Sequence, residues 1–129
     1  MKQVGIGVIG CGNISDVYLK NLTQVFRETK VVALTDIDRP RAQEQARRYG
    51  VEVVCDSAET LLHRSDVEIA LILTQPSSHF SLARQSILAG KHTYSEKPLS
   101  YTREEAAELL RLAKERGVRL GSAPDTILG

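Results

Sequence analysis

The chain has little cysteine, almost no net charge and no long apolar run, and each scarcity removes a class of function. Its only cysteines, Cys11 and Cys55, form no C-x-x-C pair and have no partners at metal-finger or helical spacing, so no metal site is expected. A reduced, cytoplasmic protein is the plain reading, with Cys11 a small filler in its turn rather than a redox group. Seventeen basic residues against 16 acidic leave a formal charge of +1, which supplies no electrostatic reason to expect nucleic acid or an anionic membrane as partner. The basic run "RRYG" at 47–50 reads as a solvated helix face. No stretch reaches the ~18 apolar residues of a membrane span. The opening "MKQVGIGVIG" meets glycine punctuation without a cleavage-type site and reads as a first strand. Internal repeats and low-complexity segments are also missing.

What is present is an ordinary globular composition, 42% hydrophobic and 26% charged over 129 residues. A single domain of this size buries roughly two thirds of its unfolded surface. Apolar runs and turn signals alternate along it. "VGIGVI" ends in a glycine turn and suits a buried strand; residues 13 to about 27 carry Ile14, Val17, Tyr18, Leu22 and Val25 at helical spacing. "VVALTD" is a second strand closing on Asp36. Pro40 then opens a helix with an Ala42, Ala46, Tyr49 stripe stopped by Gly50. "VEVVC" reads as a weaker third strand, followed by a short helix capped by Asp56 with Glu59. "VEIALILT" is a central strand, and Phe80, Ala83, Ile87 and Leu88 mark the helix after Pro76, which ends at Gly90. "KHTYS" is the fifth strand, Thr102 and Glu105 form a capping box before a helix ending at Gly117, and "VRLGS" is the sixth strand. Strands alternating with helices demand parallel pairing, hence an α/β, doubly wound parallel sheet of the Rossmann type in the order 3-2-1-4-5-6. Residues 1–122 make up this unit, and "APDTILG" at 123–129 extends beyond it.

The turn "GVIGCGNIS" departs from G-x-G-x-x-G/A only in its last position, where Ser15 stands. Lying between strand and helix, it reads as a dinucleotide-binding turn. Gly10 permits the bend, Gly12 lets a pyrophosphate approach the backbone, and N–H groups near Asn13 and Ile14 point at it. Serine is small enough for the third position, and its hydroxyl can bond a carbonyl one turn back or a phosphate oxygen. Asp36 follows 21 residues after Ser15. A carboxylate there accepts bonds from the adenosine ribose and repels a 2′-phosphate, which favours NAD, whereas Arg39 and Arg41 keep NADP open. "TQPSSH" and "SEKPLS" follow the fourth and fifth strands at the ligand-binding edge. On the residues alone, Glu96 and Lys97 are either a ribose acceptor and a cation for a reacting oxygen, or an exposed loop pair. Pro98 can be a simple breaker, and His79 a helix-start residue with a satisfied hydrogen bond.

"GVIGCGNIS", "ALTDID", "TQPSSH", "GKHTYSEKPLS" and "APDTILG", in that order and spacing, resemble the amino-terminal half of the glucose–fructose oxidoreductase / inositol dehydrogenase / rhizopine catabolism (Gfo/Idh/MocA) family. The E-K-P tripeptide is the most specific mark. The resemblance implies that Gly10, Gly12, Asn13 and Ile14 hold the pyrophosphate and Asp36 the adenosine ribose. Thr74, Gln75 and His79 would line the cofactor, Glu96 would reach the nicotinamide-side ribose, and Lys97 would bind the substrate oxygen. An asparagine usual in the family after Pro76 is Ser77 here. The implied reaction passes hydride between a secondary alcohol, of a sugar or cyclitol, and a nicotinamide cofactor. Family members continue past the "APDTILG" segment, so that 123–129 would begin a connection, into a second domain that carries the small-molecule pocket, the proton donor or acceptor and the usual oligomer interface. Without it, these 129 residues are expected to bind cofactor and turn over little. A non-enzymatic nucleotide-binding or interaction module, and less favoured an S-adenosylmethionine-dependent methyltransferase, are the competing readings.

Overall fold

A computed structural model of the chain describes residues 2–123. Five strands and five helices alternate: β1 (Val4–Ile9), α1 (Ser15–Lys20), β2 (Thr29–Thr35), α2 (Arg39–Tyr49), α3 (Ala58–Leu62), β3 (Ile69–Ile72), α4 (His79–Leu88), β4 (His92–Ser95), α5 (Arg103–Arg116) and β5 (Leu120–Ser122). The sheet order is β2-β1-β3-β4-β5, and every pairing is parallel. Of the expected connection, only Ala123 falls within the described residues; its N–H bonds Ser95 O at 3.1 Å and extends the last pairing.

The expected third strand is reduced to one bridge, Leu34 to Val54, beside β2. Its place agrees with the expected order, but its length does not. Gly50 closes α2 in the left-handed conformation at φ 71°, and the Val51 N–H is spent on Ala46 O at 2.9 Å. Ser57 already caps α3, so few residues are left to form a ladder. That cap also corrects the sequence reading. Ser57 Oγ accepts from Thr60 N at 3.1 Å, while Asp56, the expected cap, pairs with Arg39. Thr102 does cap α5, accepting from Glu105 N at 3.1 Å, but Glu105 Oε1 reaches back to the N–H of Tyr101 rather than Thr102.

The two faces of the sheet carry separate cores, as a doubly wound architecture requires. In β3, Ala70 and Ile72 pack with Leu61, Ile87 and Leu109 on one face, while Leu71 packs with Val8, Leu19, Ala42 and Ala46 on the other. Successive residues point to opposite faces because the strand repeat is two. The first helix differs from its expected span. After Lys20 the chain widens into a π-helical turn over Asn21–Val25, closed by Phe26 N to Asn21 O at 2.9 Å. Within it, the Thr23 hydroxyl takes Leu19 O and the Thr29 hydroxyl takes Leu22 O, at 2.7 and 2.8 Å. These bonds draw carbonyls away from regular helical pairing. Leu19 is the buried anchor of this helix, whereas Ile14, Val17 and Val25 of the expected stripe are exposed. Among the described residues, no helix is long and apolar enough to cross a membrane, and no group of acidic, cysteine or histidine side chains is gathered for a metal.

Candidate cofactor site

The carboxyl ends of β1, β2 and β3 open onto a cleft of about 690 Å³. Gly10 builds its floor. The residue sits at φ 106°, and a Cβ there would stand 2.7 Å from the backbone of Leu73 and Thr74. No side chain fits, and the conformation itself favours glycine. Its N–H bonds Thr35 O at 2.9 Å. Next to it, the Cys11 N–H donates to Asp36 Oδ2 at 2.6 Å, and the Asp38 N–H donates to Asp36 Oδ1 at 2.8 Å. Asp36 thus staples the glycine turn to the loop after β2, and its carboxylate keeps lone pairs for further donors.

Gly12 meets a different environment. A Cβ there would find only Arg41 Nη1, at 3.9 Å, so the missing side chain leaves room on the cleft side. Among the described residues, no acceptor engages the N–H groups of Gly12, Asn13 and Ile14. Bare amides on a concave wall are the chemistry an anionic pyrophosphate requires. The Ser15 hydroxyl takes the first of its two expected partners, donating to Gly12 O at 2.6 Å. Cys11 is buried against Thr35 O, and its thiol is pushed up to about 12, first by burial and then by the Asp36 charge, with Arg41 opposing. It stays protonated at neutral pH, a filler as expected.

Seven of the expected site residues share this cleft: Gly10, Gly12, Asn13, Ile14, Asp36, Thr74 and Gln75. Arg41 and Ser78 border it as well. Arg39, the other cation weighed for a 2′-phosphate, is instead paired with Asp56.

His79 is not a lining residue. Its side chain is 1% exposed, with Nδ1 2.7 Å from Pro98 O and Nε2 2.8 Å from Thr74 O. Both ring nitrogens are consumed within the protein, so the satisfied helix-start reading holds and the cofactor-lining expectation does not. The ring ties the loop after β3 to the loop after β4. Glu96 and Lys97 lie on that second loop, half-buried, and the Lys97–Pro98 peptide is cis. Glu96 N bonds Ile72 O at 2.9 Å, and its carboxylate accepts the hydroxyl of Tyr18. Burial, then the Glu96 bond and charge, hold the Tyr18 hydroxyl well above the ordinary phenol range. In the sequence Tyr18 is visible only as one member of an apolar helix stripe; nothing local signals a partner 78 residues away.

The oxidoreductase family model for the NAD-binding Rossmann fold matches residues 4–123. The inositol 2-dehydrogenase of Gluconacetobacter diazotrophicus is 30% identical over 91% of this chain and 35% of its own length. The chain therefore spans about a third of the length of such curated relatives. Among solved structures, GenD2 from gentamicin A biosynthesis, in complex with NAD, is 28% identical with a TM-score of 0.90, covering 95% of this chain and 35% of that one. The 3-ketoreductase KijD10 from Actinomadura kijaniata, a Y186F mutant with TDP-benzene and NADP, is 32% identical with a TM-score of 0.88, covering 94% of this chain and 37% of that one.

Proposed function

From the premise that this chain belongs to the Gfo/Idh/MocA oxidoreductase family through its NAD-binding Rossmann domain, we propose that it holds NAD or NADP for hydride exchange with a secondary alcohol or its carbonyl, as in a sugar or cyclitol. The observation that carries this reading is the row of unengaged N–H groups from Gly12 to Ile14 on the wall of the cleft that also holds Asp36. Gly10, Gly12, Asn13 and Ile14 would face the pyrophosphate, Asp36 the adenosine ribose, and Thr74 and Gln75 the middle of the cofactor. Glu96 would accept bonds from the nicotinamide-side ribose. Bound NAD(P) supplies the carbon that gives or takes hydride. Lys97 would steady negative charge on the substrate oxygen as it develops. Residues 1–122 form the cofactor unit in this reading, acting in the cytoplasm. The substrate pocket, the partner acid or base and any oligomer interface belong to sequence outside these residues. Relatives solved with NAD and with NADP support either cofactor.

Titration of the chain with NADH, followed by nicotinamide fluorescence and by competition with S-adenosylmethionine, tests the reading. Saturable NADH binding that S-adenosylmethionine does not displace is the expected result. Displacement would favour a methyltransferase, and no binding by either pyridine cofactor would end the proposal. Asp36→Ala sharpens the choice of cofactor. Because the carboxylate both staples the turn and faces the 2′ position, both affinities should fall, and that for NADH further than that for NADPH. Equal losses would remove Asp36 from 2′ recognition.

A further inference from the structure

The third position of the glycine turn raises a question that the family resemblance does not answer. Ser15 replaces the usual glycine or alanine and is fully buried, so its hydroxyl needs partners inside the protein. It has two. The hydroxyl donates to Gly12 O at 2.6 Å and accepts from Gln45 Nε2, on α2, at 2.9 Å. Gln45 is itself a buried amide, 6% exposed. Its other amide hydrogen goes to Asp16 Oδ1 at 2.9 Å. Ser15 Oγ already donates its only hydrogen and a carboxylate only accepts, so the amide nitrogen must be the atom facing both. The same Asp16 oxygen takes the Tyr49 hydroxyl at 2.8 Å and the Arg48 guanidinium at 3.1 Å. Gln45 is the first cause holding the Asp16 carboxyl below the usual carboxylate range. Residues 45, 48 and 49 share one face of α2 by helical spacing, and that face grips the first turn of α1.

We propose that Gln45 is a positioning residue for the phosphate-binding turn, acting through Ser15 to fix the peptide between Gly12 and Asn13. The reason lies in peptide geometry. In a planar trans peptide the C=O and the following N–H point in opposite directions. Gly12 O is held toward α1 by the Ser15 hydroxyl and also by the Ser15 N–H at 2.9 Å. The Asn13 N–H of that same peptide is thereby turned the other way, and Asn13 lines the cleft. A glycine or alanine at position 15 leaves the turn's order to that backbone bond and close packing. Here a hydrogen-bonded chain from α2 adds to them. The ligand class served is a dinucleotide pyrophosphate, so the inference rests on the proposed cofactor reading.

The test is a double-mutant cycle on the chain, using Gln45→Met, which keeps shape and loses both donors, and Ser15→Ala, which keeps a small third position. Two readouts are taken: the affinity for NADH and for ADP by calorimetry, and the Asn13 and Ile14 amide resonances of the free protein. Each single variant should weaken NADH and ADP about five- to ten-fold, the scale of one buried hydrogen bond, and should shift both resonances. The double variant should lose no more than either single one. Affinities within two-fold of the parent, additive losses, or unmoved Asn13 and Ile14 resonances would each overturn the proposal. If Gln45→Met does not fold, Ser15→Ala alone must show both effects or the proposal fails. If the parent binds neither NADH nor ADP, the cofactor reading falls, while the amide resonances still decide whether Gln45 orients the turn.

Discussion

The two ends of the sheet's carboxyl edge are built from different materials. The β1–α1–β2 end is made of backbone: a glycine at φ 106°, a row of amides, and one carboxylate that staples two loops. The β3–β4 end is made of side chains held from afar, with Glu96 under the Tyr18 hydroxyl and His79 between two loop carbonyls. Amides set by local conformation need only a short stretch of chain to be correct. Side chains set by distant partners need the whole sheet. The first end should therefore fail by loss of backbone geometry and the second by loss of single contacts.

Gly10→Ala should produce the largest effect, because it breaks the backbone end outright. A methyl group would lie 2.7 Å from the Leu73–Thr74 peptide, and the residue would be held in a region that costs a non-glycine of order 1–3 kcal/mol before any clash. A loss of about 3 kcal/mol or more in denaturant unfolding is expected, with ADP and NADH binding both abolished. A variant as stable as the parent would mean that the turn relaxes easily, and the contrast between the ends would collapse.

His79→Ala comes second and should strike the other end selectively. Removing a buried ring that satisfies two carbonyls leaves a cavity and lost bonds, together about 2–4 kcal/mol. Below its melting temperature the variant should bind ADP, which spans only the adenosine and pyrophosphate, within about two-fold of the parent, well under the 1.4 kcal/mol of a tenfold change. NADH should weaken by more than that. Equal weakening of the two ligands would show that the His79 tie supports the whole cleft.

This division also explains what can be read from the sequence. The glycine turn, Asp36 at its spacing and the parallel α/β alternation are local or periodic signals, and all of them reappear in the fold. The third strand falls short of its expected length because apolar content in "VEVVC" says nothing about the caps at Gly50 and Ser57 that crowd it. The distant contacts of His79, Tyr18 and Gln45 are not legible in the sequence, for a common physical reason. Their partners lie 19, 78 and 30 residues away, and a histidine, a tyrosine and a glutamine on helices carry no mark of the distant groups they will meet. Resemblance supplied a role for Glu96 but not for the hydroxyl that holds it.

Tyr18→Phe should have the smallest effect and bear most directly on how the side-chain end is set. The substitution keeps the ring against Tyr94, whose centroid is 6.5 Å away, and deletes only the bond to Glu96. Stability at neutral pH should fall by roughly 1 kcal/mol, the net value of such a bond. NADH affinity should drop a few-fold with ADP unchanged, since only the Glu96 end of the ligand loses its oriented acceptor. The pH dependence gives an independent check. Because the folded Tyr18 hydroxyl titrates above its ordinary value of 10.0, the folded state retains a proton that the unfolded chain gives up. The stabilisation is therefore complete below pH 10 and is lost as pH climbs toward the folded value. The parent should lose unfolding free energy above about pH 10, and Tyr18→Phe should lose less over the same range. If the two alkaline profiles superimpose, the hydroxyl is not held by Glu96, and that carboxylate must take its orientation from the loop after β4 alone.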